Sequence, residues 1–364
     1  MTNQQTQRGE GIYFNMPAEE YFELPYFSRS LSQKVRFSGK EAEFYINNPT
    51  KETPAMELGT ALHLMLLELD KFLQTYVKAP AITDEEFAGK KILSTVDDLK
   101  PYFELYGLKK SGKKEDLIDA LRPYLNPAEV VIWDDIKSNF ESQVKNLNQK
   151  VLSNEDYSTL EQIGVEFYNN QKNLSTLLKN GRPEVVIIWK DPATGVMCKC
   201  RLDYVQAEAI VDVKSFSIKD FNTPLIDQLR KKTIFSFYNF QYAIYAEAIE
   251  IVINQIKAGK AGIFGEDNQE FIDNFLKNPK KRFFILYVRT TAPYQMQALE
   301  LEQAEVSGGG ENAYYSVANQ LWRASLDKYA HFLKTGKWKG EEDIQTLQDV
   351  HVPNILWQQP ILEE

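Results

Sequence analysis

The 364-residue chain is long enough for two ordinary domains, or for one large domain carrying an insertion, and its core needs no disulfide staples. Hydrophobic residues at 43% and charged residues at 26% are ordinary globular values and exclude a disordered or collagen-like chain. The net charge of −9, from 42 basic and 51 acidic residues, argues mildly against a general polyanion binder but leaves room for local basic patches.

Met1 to Glu10 is polar, without the apolar run of a secretory signal, and Ala61 to Leu69 is broken by His63 and Glu68 and too short to span a bilayer. A cytoplasmic protein with no membrane partner is therefore expected. The two cysteines, Cys198 and Cys200, fit a reducing compartment and are too few for a four-thiolate zinc or iron–sulfur site. They alternate along a strand and read as packing positions.

In chain order, residues 1 to about 20 read as a loose arm, and Met56 to Leu73 as a buried helix in which Gly59 permits close approach. His63 sits among leucines, where a core histidine is commoner than a ligand. Ser94 to Leu125 breaks the plan. Two short amphipathic helices, Val96 to Tyr106 and Lys113 to Tyr124, carry Leu99, Phe103, Leu117, Ile118 and Leu121, with a sharp reversal at Gly107 to Gly112. Leu99-Lys100, Gly107-Leu108, Ser111-Gly112-Lys113-Lys114 and Asp116-Leu117-Ile118 resemble a SAP motif, a small helical DNA-binding module. Lys109, Lys110, Lys113 and Lys114 crowd into its turn, where phosphates would meet ammonium groups and the second helix's amides. The plainer alternative is a helical hairpin with a solvated basic loop.

Helical patterns return between about Pro127 and Leu178, and then the period changes. Glu184 to Trp189, Met197 to Val205 and Ile210 to Phe216 read as three strands joined by turns at Asp191 to Gly195 and Gln206 to Ala209. A helix over Tyr238 to Ile256, strands over Phe283 to Thr290 and Tyr294 to Glu302, a Ser307 to Gly310 link and a helix over Ala313 to Thr335 complete the chain. This is an α/β core, a mixed sheet flanked by helices.

The chemistry concentrates in Asp203 and Asp212-Val213-Lys214. Asp212 and Lys214 share a strand face, and Asp212 lies in an apolar run where an unpaired charge is costly. If the two hairpins pair residues summing to about 386 and 414, Glu184 lies opposite Leu202 and Asp203 opposite Val211, which gathers three carboxylates at one end of the sheet. Such a cluster suits Mg²⁺, a hard cation that prefers oxygen ligands. Lys214 could then neutralise a pentavalent phosphate or lower the pKa of an attacking water. An isolated Asp-x-Lys would more often be a surface ion pair. Gln241 and Tyr245, four apart, share a helical face. Arg230, Lys231 and Lys232 read as a loop overhanging the site, where phosphate contact and a simple solvated charge run compete; Lys280, Lys281 and Arg282 are a weaker parallel.

Asp203 with Asp212-Val213-Lys214 resembles the PD-(D/E)xK nuclease core. Ser28-Arg29-Ser30, Gly59-Thr60-Ala61-Leu62-His63, Trp189-Lys190-Asp191, Cys198 through Asp203, Gln241 through Tyr245 and Gly336-Lys337-Trp338 extend this to the exonuclease VIII (RecE-type) family, whose relatives include phage λ exonuclease. The resemblance implies a PD-(D/E)xK, restriction-endonuclease-like fold and Mg²⁺-dependent degradation of duplex DNA from its ends, 5′ to 3′, with Mn²⁺ able to substitute. The 3′ single-stranded tails would serve recombination. It implies a phage or prophage source, a ring-shaped homo-oligomer and a single-strand annealing partner. It makes Asp203, Asp212, the Val213 carbonyl and His63 the metal site, and Lys214, Glu184, Gln241 and Tyr245 the catalytic set. Whether Glu184 binds metal or orients a water is open at this point. The implied divisions are residues 1–92, a SAP-like insertion at 93–126, and 127–364. A PD-(D/E)xK endonuclease and a non-cleaving DNA-end-binding protein are the competing readings.

Overall fold

The computed structural model describes residues 7–48, 53–109, 111–170, 172–218, 220–301 and 313–338. The chain divides into two compact units, Met1–Gly59 with Val165–Glu364, and Thr60–Gly164. Its strands are β1 (Gly11–Tyr13), β2 (Tyr76–Lys78), β3 (Lys91–Leu93), β4 (Val130–Ile132), β5 (Lys150–Leu152), β6 (Arg182–Lys190), β7 (Met197–Val205), β8 (Ala209–Phe216), β9 (Gly262–Phe264), β10 (Arg282–Arg289) and β11 (Met296–Leu301).

The first unit holds a seven-stranded sheet in the order β11-β10-β8-β7-β6-β1-β9. β8 and β10 run parallel, as do β1 and β9, and the other neighbours are antiparallel, so the sheet is mixed as expected. Strand alternation sets its two faces. Val185, Ile187 and Trp189 on β6 meet Cys198, Cys200 and Leu202 on β7 in the main core. That core is closed by Ile244, Ala248 and Val252 of the Tyr238–Lys257 helix and Trp322 and Leu326 of the Ala313–Thr335 helix. Val186 and Ile188 point the other way, against Tyr13 and Leu24.

Two sequence expectations change here. The expected loose arm contains β1, which sits between β6 and β9. Its three residues are too few for a periodic signal, and Gly11 marks the close approach: a Cβ there would lie 2.5 Å from the Gly262 carbonyl oxygen. The register is also one residue off. The β6–β7 hairpin closes at Asp191 N–H to Val196 O, 2.9 Å, and the β7–β8 hairpin at Gln206 N–H to Ala209 O, 2.8 Å. Both turns therefore enclose an even number of residues, so paired positions sum to odd numbers. Val185 faces Leu202 and Pro183 faces Tyr204, while Tyr204 faces Val211.

Arg230, Lys231 and Lys232, expected in a loop, lie on a helix, Leu225–Phe235. The three consecutive charges mask its pattern. Leu229 and Thr233, four apart and buried, hold it to the sheet, where the Thr233 hydroxyl meets the Tyr287 hydroxyl at 2.8 Å.

In the second unit, β2 pairs with β5 and β3 with β4, both parallel. The stretch expected to be helical from Pro127 to Leu178 thus also contains β4 and β5, alongside helices Trp133–Leu147 and Asn154–Val165. The SAP-like segment forms two helices, Val96–Tyr106 and Lys114–Leu121, which pack through Leu99, Phe103, Leu117, Ile118 and Leu121 together with Leu93. Thr95 and Asp98 form a capping box at the first helix, and Gly107 ends it in the left-handed region with φ 67°. The divisions at 92/93 and 126/127 both fall inside this unit. The Ser307–Gly310 link lies outside the described residues, and among those described no helix is long and apolar enough to cross a membrane.

Candidate functional site: carboxylates where two strands part

β7 and β8 pair directly at Tyr204↔Val211 and Val205↔Ile210. One step further the register would set Asp203 against Asp212. There the Val213 N–H donates to Asp203 Oδ2 at 2.8 Å, so a side chain takes over from the ladder. On the other side of β7, Glu184 lies between the residues that face Leu202 and Tyr204, and it adopts φ 51°. A non-glycine residue in this region marks local strain of the sort that gathers at functional sites. A Glu184 carboxylate oxygen and an Asp203 carboxylate oxygen lie within 4.8 Å of each other. The expectation of three acids at one end of the sheet holds, and the corrected register brings them into one row.

Asp212 is fully buried. Lys214 Nζ lies 2.5 Å from its Oδ2 and 3.9 Å from Asp203 Oδ2. Burial alone would pull the Lys214 ammonium down, but the Asp212 and Asp203 charges outweigh it and hold the pKa above that of an ordinary lysine. Lys214 is therefore a fixed positive charge at neutral pH, suited to stabilising an anion and not to taking a proton. The Tyr238 ring lies against it, 5.3 Å from Nζ to centroid.

Tyr238, Gln241 and Tyr245 all reach the site from the Tyr238–Lys257 helix. Gln241 Nε2 donates to Asp212 Oδ1 at 2.7 Å and to the Tyr245 hydroxyl oxygen at 2.5 Å. The Tyr245 hydroxyl donates to the Arg201 carbonyl at 2.7 Å, and burial pushes its pKa far up, so it stays protonated. The start of this helix is set by Phe237, in the left-handed region with φ 55°, and by the Arg36 guanidinium, 5.3 Å from the Phe237 and Phe240 ring centroids.

One contributor escaped the sequence reading. Arg201 Nε lies 2.8 Å from Glu184 Oε2, two residues before Asp203 on the same strand. A charged residue on a strand gives no periodic signal that separates a site residue from a surface one.

His63 is half-buried on the Pro54–Leu67 helix and belongs to the second unit, the acids to the first. Arg230 and Lys231 are exposed, with Arg230 3.5 Å from Asp227, and Lys232 is half-buried. Lys109 and Lys113 are exposed in the second unit, whereas Lys114 Nζ is held 2.7 Å from the Ser94 carbonyl and 2.5 Å from Asp134. Lys110 lies outside the described residues. Lys281 is buried, bonded to the carbonyls of Ala207 and Phe275, and serves the fold.

No curated protein matches the sequence. A crystal structure from Eubacterium rectale, of a protein provisionally named an exonuclease, aligns over 96% of this chain and 95% of its own at 11% identity, with a TM-score of 0.45. That likeness is too distant to carry an argument. Residues 30–313, well over half the chain, match the family model described as a PDDEXK-like domain of unknown function (DUF3799). With a mixed sheet flanked by helices and an Asp-Val-Lys strand at its acidic row, this chain belongs to the DUF3799 family of PDDEXK-like domains.

Proposed function

We propose that the protein is a divalent-metal-dependent exodeoxyribonuclease that degrades linear duplex DNA from its ends, 5′ to 3′, leaving 3′ single-stranded tails for recombination. The observation that carries this reading is the row Glu184–Asp203–Asp212 with Lys214 set into it. Three largely buried acids repel one another unless positive charge lies among them, and their hard oxygen donors fit Mg²⁺, or Mn²⁺ in its place. Asp203, Asp212 and the Val213 carbonyl would hold the ion. Such an ion, when bound, supplies polarisation of a phosphoryl oxygen and activation of a water.

The remaining steps fall to the protein's own groups. Lys214, permanently charged, offsets the negative charge that grows on the phosphate as it is attacked. Gln241 fixes the rotation of the Asp212 carboxylate, and Tyr245 fixes Gln241. Glu184 either binds the metal or orients the attacking water. Lys109 and Lys113 on the SAP-like hairpin and Arg230 and Lys231 on the Leu225–Phe235 helix are the candidate phosphate contacts in a protein of net negative charge. A ring-shaped homo-oligomer and a single-strand annealing partner belong to the same reading.

The test is digestion of linear and closed-circular duplex carrying a 5′ label, with Mg²⁺ or with EDTA. Loss of the linear form alone, only with Mg²⁺ and with early release of the label, is expected. Cutting of the circle would replace the exonuclease by an endonuclease. Binding without cutting of either would leave a DNA-end-binding protein on a nuclease fold.

A further inference from the structure

The Arg201 side chain has no place in the chemistry above, yet three separate features hold it. Its Nε pairs with Glu184 Oε2 at 2.8 Å, and its side chain is three-quarters buried. Its guanidinium carbon lies 5.5 Å from the Tyr21 ring centroid and 5.2 Å from that of Phe22. Both rings stand on the short Ala18–Glu23 helix, and the end of that helix is tied down from the same strand: Lys199 Nζ donates to the carbonyls of Tyr21 and Leu24, each at 2.6 Å. Lys199, Arg201 and Asp203 alternate along β7. One strand thus presents the clamp for the aromatic wall, the guanidinium stacked on the wall, and the carboxylate beside Glu184.

A planar guanidinium against aromatic rings has few orientations, so its fork is aimed before it meets a carboxylate. Glu184 is constrained at the other end by its left-handed backbone, φ 51°. With the backbone set and one carboxylate oxygen held in an ion pair, the group is restrained beside Asp203, whose carboxylate lies within 4.8 Å. We propose that Arg201 is a positioning residue that acts through Glu184: it fixes the carboxylate at the metal-binding row, with Tyr21 and Phe22 as the wall that aims it. This rests on the nuclease reading of the row.

Charge and geometry make opposite predictions, which gives the proposal a sharp test. Deleting a positive charge beside the acids would by itself tighten Mg²⁺ binding, whereas loss of aim weakens it. Groups that orient metal-site carboxylates typically change metal affinity about 10–100-fold on mutation. Arg201→Met should therefore raise the Mg²⁺ concentration needed for half-maximal cleavage about tenfold or more. It should equally shift the Mg²⁺ concentration that raises the melting temperature, a readout independent of activity. In an E184Q background the same substitution should change the Mg²⁺ concentration that raises the melting temperature by no more than about twofold, because the residue it acts through has lost its charge. If Arg201→Met does not fold, Phe22→Ala tests the wall directly: Phe22 is 67% exposed, so its loss spares the core. The shift should have the same direction, and again vanish in E184Q. A lowered Mg²⁺ requirement, or full additivity with E184Q, overturns the proposal. A wild-type protein that neither cleaves nor responds to Mg²⁺ would instead overturn the nuclease reading.

Discussion

The Asp203 carboxylate accepts the backbone N–H of Val213 at 2.8 Å, standing in for a strand where β7 and β8 have ceased to pair. One carboxylate thus does two jobs, satisfying a buried backbone donor and belonging to the acidic row, and the two are separable. Asp203→Asn keeps an acceptor for Val213 and loses the charge, so it should retain wild-type stability and lose metal-dependent cleavage. Asp203→Ala should lose cleavage and also leave the Val213 N–H without this partner, at a cost of about 1–3 kcal/mol. Urea unfolding of the two variants beside a cleavage assay checks both halves. Equal stabilities would mean that the bond to Val213 is unimportant.

Lys214 and Asp212 form a close pair, with the Asp212 side chain fully excluded from solvent. Removing one partner of such a pair leaves the other charged in a poor solvent and typically costs about 3–5 kcal/mol. Lys214→Met should therefore be both inactive and less stable by about that amount, while its affinity for duplex DNA changes little. Cleavage at the wild-type rate would show that the assignment of the site is wrong.

The five long strands β6, β7, β8, β10 and β11 and their acids were legible in the sequence because the β-branched runs are clean and the turns are chemically marked. The limits of Met197–Val205, Val96–Tyr106 and Ala313–Thr335 stand where the pattern puts them. The parts that were hidden share a cause: they depend on parity or on partners. One residue more or less in a turn changes which carboxylates face each other, and composition does not report that number. β1 is three residues long and owes its place to β6 and β9, not to any pattern of its own. Arg201 looks like any strand charge until Glu184 and the Tyr21–Phe22 wall are folded around it.

Gln241 touches both Asp212 and Tyr245, so its loss should disturb the row without emptying it of charge. Gln241→Met should lower the cleavage rate about 10–100-fold and leave DNA affinity within about twofold, since its role is to orient a carboxylate. Tyr245→Phe, which removes only the hydroxyl, should show a smaller loss in the same direction. A DNA-binding defect in Gln241→Met as large as its rate defect would point to a direct contact with the nucleic acid instead.

Burial drives the Lys281 pKa down to about 7 from the 10.5 of an ordinary lysine. Between those values the unfolded chain binds a proton that the folded protein does not, so the contribution of this group favours folding increasingly as pH rises. Below about 7 both states are protonated and the burial cost is full. Wild-type stability should rise relative to Lys281→Met as pH increases from 7.5 to 9.5, measured as denaturant midpoints at each pH. Parallel curves for the two proteins would mean that Lys281 keeps its proton throughout.

The SAP-like hairpin is best tested without removing it. Leu93, Val130 and Ile132 flank the segment and pack against its helices, so deletion would expose a core as well as take away lysines. Lys114 is equally unsuitable, since it is bonded to the Ser94 carbonyl and Asp134. Lys109 and Lys113 are exposed, and their replacement by glutamine should leave folding intact. If each meets a phosphate, the double variant should weaken duplex binding regardless of sequence and reduce the slope of log affinity against log salt by about 2, near 0.9 per contact. Fluorescence anisotropy of a labelled duplex across a salt series measures this. A weaker affinity with the slope unchanged would exclude these lysines as phosphate contacts and leave the segment a helical hairpin with a solvated turn.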